Sequence, residues 1–345
     1  MKQQTKFFVF VTLLMGLVLG ASGKQSVQAA THQVTDLTGA KVAVPTKVTR
    51  VADLWHANNQ VVLLLGGPKK LVATTPMIQK MPWYQTVYPK INKVTAPYNG
   101  TDLQVEELLK QKPDIVLAAD PGTVQKAKAA KLPVANIMFQ DFAGLKQSVT
   151  VTGQILGGQA PKIAKTYLKD LNHNIHYVKD RVKGSKKIKV LHVVAANNLL
   201  KVDGTHSMID EWLKIAGGTN AIRKSGNMIT TTPEEIAKSD PDVIIVGQTT
   251  SKQALAVFQK DPRFANLKAV RNKKVYGNPQ GTFPWDRYSA EAALQVLWAG
   301  KLLHPQDFKT LNMRQETQKF YQKYYHYQLS KTQAEQILAG KQPKS

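Results

Sequence analysis

The 345-residue sequence contains no cysteine. The chain therefore cannot form disulfides, hold a metal through thiolates, use thiol catalysis or carry a lipid on an N-terminal cysteine. A chain of this length has room for two domains of ordinary size. Their hydrophobic cores must stabilise the fold without cross-links.

Acidic residues are also scarce, since 23 Asp and Glu face 47 Lys and Arg, which gives a formal net charge of +24. Forty of these cations are lysines, and they are spread along the whole sequence. Nucleic-acid-binding proteins usually concentrate their basic residues, often arginines, in one patch or helix. The pattern predicts a solvated, lysine-covered surface that suits anionic surroundings, and no nucleic-acid partner.

Long hydrophobic runs are missing except at the N-terminus. Lys2 and Lys6 precede an apolar run at 7–21, and residues 27–29 are typical of a cleavage site for a secretory signal. The run of about 15 residues is short for a membrane span of about 20. The sequence therefore predicts a cleaved signal peptide at 1–29 and an exported protein, with an uncleaved membrane anchor as the alternative.

Common catalytic and metal-binding motifs are absent as well. The sequence has neither a Gly-x-Ser-x-Gly nor a His-Glu-x-x-His motif. Its eight histidines are scattered, whereas a zinc or manganese site needs three or four converging ligands. We therefore expect no enzymatic activity, no cofactor and no directly bound metal.

A repeated unit is the most informative feature that is present. Residues 106–117 and 234–246 each predict a short helix with acidic residues at its start, a Pro-Asp break and an apolar strand. Glu106 and Glu234 stand seven residues before the respective prolines and 128 residues apart. The repeat predicts two similar α/β lobes, and two lobes form a cleft in which a ligand can bind.

The order of predicted elements defines the domain organisation. Strands alternate with helices in both halves, which predicts parallel-rich, Rossmann-like sheets covered by helices. From Pro161 onward, apolar residues recur at helical spacing, which predicts one connecting helix of more than 20 residues that resists large hinge motion. We expect an N-terminal lobe at 30–155, the helix at 156–186 and a C-terminal lobe at 187–345.

Together these features resemble the helical-backbone class of ABC-transporter substrate-binding proteins, the family that carries iron–siderophore complexes, haem and cobalamin. The resemblance extends over some 270 residues. Each matching segment is weak alone, but the segments follow one another in the order and spacing of the family. They are residues 34–39, 44–45, 50–52, 65–66, 106 with Pro113-Asp114, 216–221, 234 with Pro241-Asp242, 285–291 and 297–305.

The resemblance implies a delivery role for the repeated glutamates. In the family, the glutamate before each Pro-Asp meets an arginine of a permease subunit, and Glu106 and Glu234 fall on those positions. A carboxylate in the first turn of a helix is favoured by the helix dipole and needs no further partner. The alternative is that both are ordinary N-terminal helix residues. Ser22 stands where Gram-positive relatives carry a lipid-bearing cysteine, so no lipid tether is expected.

The resemblance also implies a ligand site in the loops that follow the strands, where open α/β sheets hold ligands. For any single aromatic residue, packing in the core is the alternative; Leu297 and Trp298, at apolar spacing on a helix, are expected in the core. His56 and His206 are candidate ligands of a chelated iron across the cleft. The predicted ligand-binding residues are Trp55, His56, Trp83, Tyr84, Tyr98, His206, Trp285, Arg287 and Tyr288.

The function implied by the resemblance is capture of an iron chelate, either a ferric siderophore or haem. The protein would act as a monomer at the cell surface and deliver the chelate to an ABC permease dimer with its ATPase. Any membrane association would come from that partner or from an uncleaved signal. A cobalamin-binding protein of the same family is one alternative. Alternatives from other classes are an extracellular hydrolase and a basic cell-surface adhesin.

Overall fold

The computed structural model describes residues 30–343. The predicted signal peptide at 1–29 lies outside the described residues, so its presence stays a prediction. Within residues 30–343, no helix combines the length and the apolar character that crossing a membrane requires.

The described chain alternates short strands and helices. The strands are β1 (Thr31–Thr35), β2 (Lys41–Pro45), β3 (Val51–Asp53), β4 (Leu71–Ala73), β5 (Tyr98–Asn99), β6 (Asp102–Leu103), β7 (Ile115–Ala118), β8 (Val134–Asn136), β9 (Ile188–Ala195), β10 (Asn198–Val202), β11 (Gly218–Asn220), β12 (Ile229–Thr230), β13 (Val243–Val246) and β14 (Val275–Gly277). The helices are α1 (His56–Leu64), α2 (Pro76–Gln79), α3 (Pro82–Val87), α4 (Val105–Lys110), α5 (Pro121–Ala129), α6 (Phe142–Leu156), α7 (Ala160–Arg181), α8 (Met208–Ile215), α9 (Pro233–Ser239), α10 (Ser251–Lys260), α11 (Lys268–Arg271), α12 (Ala292–Leu303), α13 (Met313–Phe320) and α14 (Lys331–Leu338).

Two sheets confirm the predicted α/β class with two lobes. The N-terminal sheet has the strand order β4-β3-β7-β8, and all its pairs are parallel. The C-terminal sheet has the order β12-β10-β9-β13-β14, with β11 also paired to β9. Here β9, β11, β13 and β14 pair in parallel, whereas β10 and β12 form an antiparallel extension that the sequence reading did not predict.

The repeated unit has the same local structure in both lobes. Lys112 and Asp240, which precede the two prolines, both have positive φ, 45° and 32°, and so end their helices in the left-handed region. Asp114 then accepts hydrogen bonds from the Thr49 and Arg50 backbone N–H groups at 2.7 and 2.9 Å. In the second copy, Asp242 accepts one from the Lys189 N–H at 3.0 Å. Each aspartate thus fixes the start of the neighbouring parallel strand.

The predicted long helix is α7, which has 22 residues and a length of about 33 Å at 1.5 Å per residue. Its buried residues recur at helical spacing, and they belong to a continuous core that contains residues from both lobes. The packed side chains on α7 are Ala160, Ala164, Tyr167, Leu171, Ile175 and Val178. Tyr167 also donates a hydrogen bond to the Ala290 carbonyl at 2.7 Å, so α7 is tied to the C-terminal helices as well as packed on them.

Candidate functional site

A cavity of about 840 Å³ lies at the carboxyl ends of the N-terminal strands. All four strands of that sheet contribute, because the residues that follow β3, β4, β7 and β8 line it. This is the edge of an open parallel sheet where ligands bind. The lining residues are Leu37, Thr38, Leu54, Trp55, His56, Thr75, Pro76, Met77, Tyr98, Gly100, Thr101, Ala119, Asp120, Pro121, Asn136 and Met138. None of them is Lys or Arg.

Trp55 and His56 connect this cavity to the C-terminal lobe. The Trp55 ring is 5.2 Å from the Phe139 ring and 5.7 Å from the ring of Tyr288, between ring centroids. His56 stacks on Phe283 with 5.6 Å between centroids. Burial lowers the pKa of His56 to about 4. At neutral pH its imidazole is therefore uncharged, with a lone pair on one ring nitrogen.

Tyr98 also lines the cavity, and its hydroxyl donates a hydrogen bond to the Leu54 carbonyl at 3.3 Å. Burial raises the pKa of Tyr98 to about 12, so the phenol stays protonated. Of the nine residues predicted to bind ligand, the structure thus places Trp55, His56 and Tyr98 on the cavity wall.

Tyr288 is the predicted residue of the C-terminal lobe that reaches the N-terminal lobe. Besides Trp55, its ring is 5.6 Å from the Phe139 ring. Its hydroxyl accepts a hydrogen bond from the Asn227 amide at 2.7 Å and donates one to the Gln140 side-chain oxygen at 3.3 Å. Tyr288 therefore lies where the two lobes meet, next to Trp55.

The backbone beside Tyr288 is held by a buried amide of the N-terminal lobe. Gln60 of α1 donates to the Tyr288 carbonyl at 3.1 Å. Its side-chain oxygen accepts from the Ser289 hydroxyl at 3.0 Å and from the Ala290 N–H at 3.1 Å. Gln60 is fully buried, so these bonds are shielded from water. They fix the position of the 288–290 segment relative to α1, which begins with His56.

A cluster of buried charges lies in the C-terminal lobe beneath this segment. His192 of β9 has Nδ1 at 2.8 Å from Asp203 Oδ2 and Nε2 at 3.0 Å from Asp286 Oδ2. A carboxylate only accepts hydrogen bonds, so both ring nitrogens must carry a proton to satisfy both contacts. With both carboxylates ionised, the geometry therefore requires His192 to be an imidazolium.

The electrostatics agree with this geometry. Burial alone lowers the pKa of His192, but the hydrogen bonds and negative charges of Asp203 and Asp286 outweigh it and leave that pKa raised. Burial likewise raises the pKa of Asp203, but its hydrogen bond to His192 and the charges of His192 and Arg287 leave it lowered. The cluster thus contains two cations and two anions, since Arg287 Nη2 is 3.2 Å from Asp203 Oδ2.

Arg287 is only partly satisfied by this cluster. Its side chain is 8% exposed, yet its Nη1 atom is buried without a hydrogen-bond partner among residues 30–343, as is Asp286 Oδ1. An unpaired buried polar group costs roughly 1–3 kcal/mol, and more when it is charged. A donor in this state, one residue from the lobe-bridging Tyr288, is suited to an anionic group.

Three of the predicted ligand-binding aromatics lie in the core. Trp83, Tyr84 and Trp285 have 0% exposure, so their side chains offer a ligand no surface in this conformation. Trp83 donates to the Lys341 carbonyl at 2.9 Å, and Tyr84 donates to the Asn59 carbonyl at 2.9 Å. The polar groups of Trp83 and Tyr84 thus bond to backbone, whereas the Trp285 indole nitrogen is buried without a hydrogen-bond partner among residues 30–343. The rings of all three fill the large core cluster, which is the packing alternative stated for single aromatics.

His206 differs from the other candidates because its side chain is exposed and it does not line the cavity. Its backbone has a positive φ of 57°, and its N–H donates to Asp210 at 3.1 Å. The predicted pairing of His206 with His56 across the cleft stays a prediction. Across residues 30–343 there is no cluster of three or more His, Asp or Glu able to hold a metal ion.

The two predicted docking glutamates occupy equivalent places in their lobes. Glu106 lies in the first turn of α4 and Glu234 in the first turn of α9, and both are exposed. Neither forms an ion pair with another described residue, whereas the adjacent Glu107 pairs with Lys110. Hydrogen bonds from its own backbone N–H and from Thr232 lower the pKa of Glu234, so it is ionised at neutral pH.

The sequence reading missed His192, Asp203 and Asp286 as site residues. They are distant in sequence, and only the fold brings them together. One signal was available, because His192 interrupts the apolar run of Val190, Leu191, Val193 and Val194 in a strand buried on both faces. A titratable residue in such a position must find buried partners.

Comparison with known proteins agrees with the fold. A family model described as periplasmic binding protein matches residues 51–281. The chain is 23% identical over 321 residues to the molybdate-binding protein MolA of Haemophilus influenzae, which covers 85% of this chain and 90% of that protein. It is 27% identical over 215 residues to the high-affinity heme uptake system protein IsdE of Staphylococcus aureus, over 58% of this chain and 72% of that protein. A crystal structure of a periplasmic solute binding protein from Veillonella parvula matches with a TM-score of 0.79 and 27% identity, over 90% of this chain and 97% of that one.

Proposed function

Because the chain belongs to the periplasmic binding protein family, we propose that it captures a bulky, largely apolar iron chelate, haem or a ferric siderophore, between its two lobes. It is the substrate-binding component of an ABC importer and not an enzyme. The proposal concerns the cargo, the residues that hold it and the way it is delivered.

The cavity at the carboxyl ends of the N-terminal strands carries the proposal. Its volume of about 840 Å³ is within the range of roughly 300–1,000 Å³ for small-molecule sites, which are mostly apolar with a few polar groups. Leu37, Leu54, Trp55, Met77 and Met138 supply apolar and aromatic surface. A free oxyanion such as molybdate is a poorer match for this wall, because the lining has no Lys or Arg to balance its charge and Asp120 adds a carboxylate.

His56 supports iron as the chelated metal. Its pKa of about 4 leaves the ring uncharged at neutral pH, and its ring nitrogens form no hydrogen bond with another described side chain or backbone group. Neutral imidazole is a common ligand of haem iron. In a haem complex, His56 would supply an axial nitrogen; in a siderophore complex, it would contact the chelator.

Arg287 supports an anionic group on the chelate. Its unpaired Nη1 is a charged donor, and arginine pairs readily with carboxylates. A haem propionate or a siderophore carboxylate that reached it would remove the unsatisfied donor. The C-terminal lobe would thus orient the charged end of a ligand whose apolar body lies on the N-terminal wall.

Delivery rests on the exposed carboxylates of Glu106 and Glu234. One lies on each lobe, at the start of equivalent helices, and neither has an ion-pair partner among residues 30–343. We propose that both meet cationic groups of the permease. An exposed ion pair contributes only about 0–1 kcal/mol, so other contacts must add to the docking energy.

A titration of intrinsic tryptophan fluorescence tests the cargo. The purified protein is titrated with haemin, a ferric hydroxamate siderophore, cobalamin and molybdate. Haemin or the siderophore should quench the fluorescence saturably. Trp55→Phe should raise the ligand concentration at half-saturation because Trp55 lines the cavity, while the matched variant Trp298→Phe, outside the cavity, should leave that concentration unchanged.

The other outcomes of the same titration decide between the alternatives. Saturable quenching by cobalamin alone would assign the corrinoid alternative. A response to molybdate alone would contradict an apolar cargo. No response to any of the four would contradict chelate capture and favour an adhesive role for the basic surface.

A further inference from the structure

The outward face of α7 carries a continuous line of cationic and imidazole side chains. They recur every three or four residues, so they lie on one side of the helix, opposite the packed residues such as Tyr167 and Leu171. All are exposed. We call this the α7 line, and it consists of Lys162, Lys165, Lys169, His173, His176 and Lys179, continued by Lys183 just past the helix.

This segment is unusually basic even for this chain. Residues 160–187 contain eight Lys or Arg against two Asp. The net charge of this 28-residue segment is therefore +6. A segment of this length with the average charge of the whole chain would carry about one third of that. The dispersed lysines of the sequence thus become a local concentration of charge once α7 is folded.

The cations of the α7 line are not neutralised internally. No lysine of the line forms an ion pair with any residue the structure describes. Of the two acids on α7, Asp170 bonds to Lys323 and to the Tyr324 hydroxyl, and Asp180 is exposed beside the line. Five lysines therefore face solvent with one exposed carboxylate next to them.

The α7 line is separate from the working surfaces of the protein. No residue of α7 lines the cavity at the N-terminal strands, and the glutamates proposed for docking lie on α4 and α9. A partner bound along α7 would leave both surfaces free.

We propose that the α7 line is a docking surface for a linear polymer of phosphodiester-linked polyols, along which the protein is held by charge. The line runs from 162 to 183 and is therefore about 32 Å long at 1.5 Å per residue. That length suits an extended polymer with many charges. Lysines bind phosphates as point charges and need no fixed sequence of partner groups.

The shape and composition of the surface favour a polymer over a lipid membrane. A membrane-surface helix inserts apolar side chains between the headgroups. Among residues 30–343, the large hydrophobic side chains that are well exposed are Met77, Leu109 and Met228, and none of them lies on α7. The surface offers charge in a line without an apolar anchor.

A charge-matched pair of variants tests the proposal. In one, Lys162, Lys165 and Lys169 are changed to Gln; in the other, three exposed lysines elsewhere, Lys238, Lys252 and Lys260, are changed to Gln. Both lose three charges. Binding of each full-length protein to a synthetic poly(glycerol phosphate) is measured over a series of salt concentrations, with denaturant unfolding as the check on folding.

We expect the α7 variant to lose about tenfold or more in affinity and its slope of log K against log salt to fall by roughly two to three, as release of counterions from three contacts requires. The control variant should stay within about threefold of the parent. Equal losses in both variants would show non-specific attraction by net charge and overturn the proposal. So would an absence of polymer binding, or binding to vesicles of one part phosphatidylglycerol and three parts phosphatidylcholine without binding to the polymer.

Discussion

The two lobes use their histidines in opposite ways. On the N-terminal wall, His56 stands at an apolar cavity, and burial lowers its pKa to about 4. In the C-terminal lobe, His192 is enclosed by two carboxylates, and its pKa is raised. The same side chain is thus a neutral potential ligand in one lobe and a structural cation in the other.

This difference suggests a separate task for each lobe in the proposed complex: contact with the body of the ligand in one, and orientation of its charged end in the other. In the proposed complex, the N-terminal wall would supply contact area and no cation, whereas the C-terminal lobe would supply Arg287, whose charge is balanced by buried carboxylates. The repeated helix–strand unit is structurally equivalent in the two lobes, so their contrast arises from residues outside it: His56 follows β3, and His192 lies within β9.

His192→Gln should lower the free energy of unfolding by roughly 3–5 kcal/mol, because it removes the cation between two buried carboxylates. Denaturant unfolding measures this. His206→Gln, at an exposed position, is the control and should change stability by no more than about 0.5 kcal/mol. A loss of stability in His192→Gln could also come from poor packing of the new side chain. A double variant, in which Asp203→Asn is added to His192→Gln, separates the two causes.

The double variant should recover part of the lost stability, since it leaves one buried carboxylate fewer.

The pH dependence of stability gives a second test of the His192 imidazolium. Because the pKa of His192 is raised in the folded state, its protonation stabilises the fold fully at pH values below its unfolded pKa of about 6.5. This contribution is lost as the pH rises through the folded-state pKa. The alkaline loss of stability should therefore be smaller in His192→Gln; an unchanged profile would argue against a buried imidazolium.

Arg287→Gln should weaken binding of an anionic chelate by roughly 1.5–3 kcal/mol, the usual contribution of a hydrogen bond to a charged group. Since Arg287 also pairs with Asp203, the unfolding free energy is measured alongside the titration. The control is Arg271→Gln, at an exposed arginine far from the cleft residues in sequence.

A comparison of ligands isolates the role of Arg287 from any loss of stability. A haem whose propionates are esterified should bind the parent and Arg287→Gln about equally. An equal loss of affinity for the acid and the ester would assign Arg287 a structural role only.

His56→Phe tests the N-terminal wall through the pH dependence of stability. The pKa of His56 falls from about 6.5 unfolded to about 4 folded, so the unfolded chain binds a proton that the folded chain rejects, and stability is lost as pH falls between these values. When the pH is lowered from 7 to 5, the free energy of unfolding of His56→Phe should therefore fall by about 1–2 kcal/mol less than that of the parent. Denaturant unfolding at both pH values measures the difference, and identical losses would contradict a buried neutral His56.

Glu106→Ala combined with Glu234→Ala should reduce uptake by cells that contain the permease, while ligand affinity in solution stays unchanged. Each exposed pair contributes about 0–1 kcal/mol, so each single variant should have a smaller effect than the double. Glu107→Ala, at a carboxylate paired with Lys110, is the matched control. Full uptake by the double variant would remove the docking role from both residues.

The fold was predictable because its signals are local and periodic. The spacing of Tyr167, Leu171, Ile175 and Val178 predicted α7, and the Pro-Asp repeat predicted two parallel-stranded lobes. The antiparallel strands β10 and β12 were missed because they depend on tertiary pairing, of β10 with β9 and of β12 with β10, rather than on a pattern of their own.

The site was predictable only in part, since it depends on contacts between distant residues. Trp55, His56 and Tyr98 follow or lie near strand ends, and the structure places them on the cavity. Trp83 and Tyr84, which lie on the short helix α3, and Trp285 are aromatic residues of the same kinds but fill the core. Sequence alone does not distinguish the cavity wall from the core for such residues. The cluster of His192, Asp203 and Asp286 joins residues up to 94 positions apart, beyond the reach of any local pattern.

The position of the iron in crystals of the complex decides where the chelate binds. Crystals grown with the chelate that binds in the fluorescence titration are measured at the iron absorption edge. Our account predicts one anomalous peak at the cavity, next to His56 and on the side where Trp55 contacts Tyr288. A peak on the outer surface of either lobe, with the cavity free of ligand density, would contradict it.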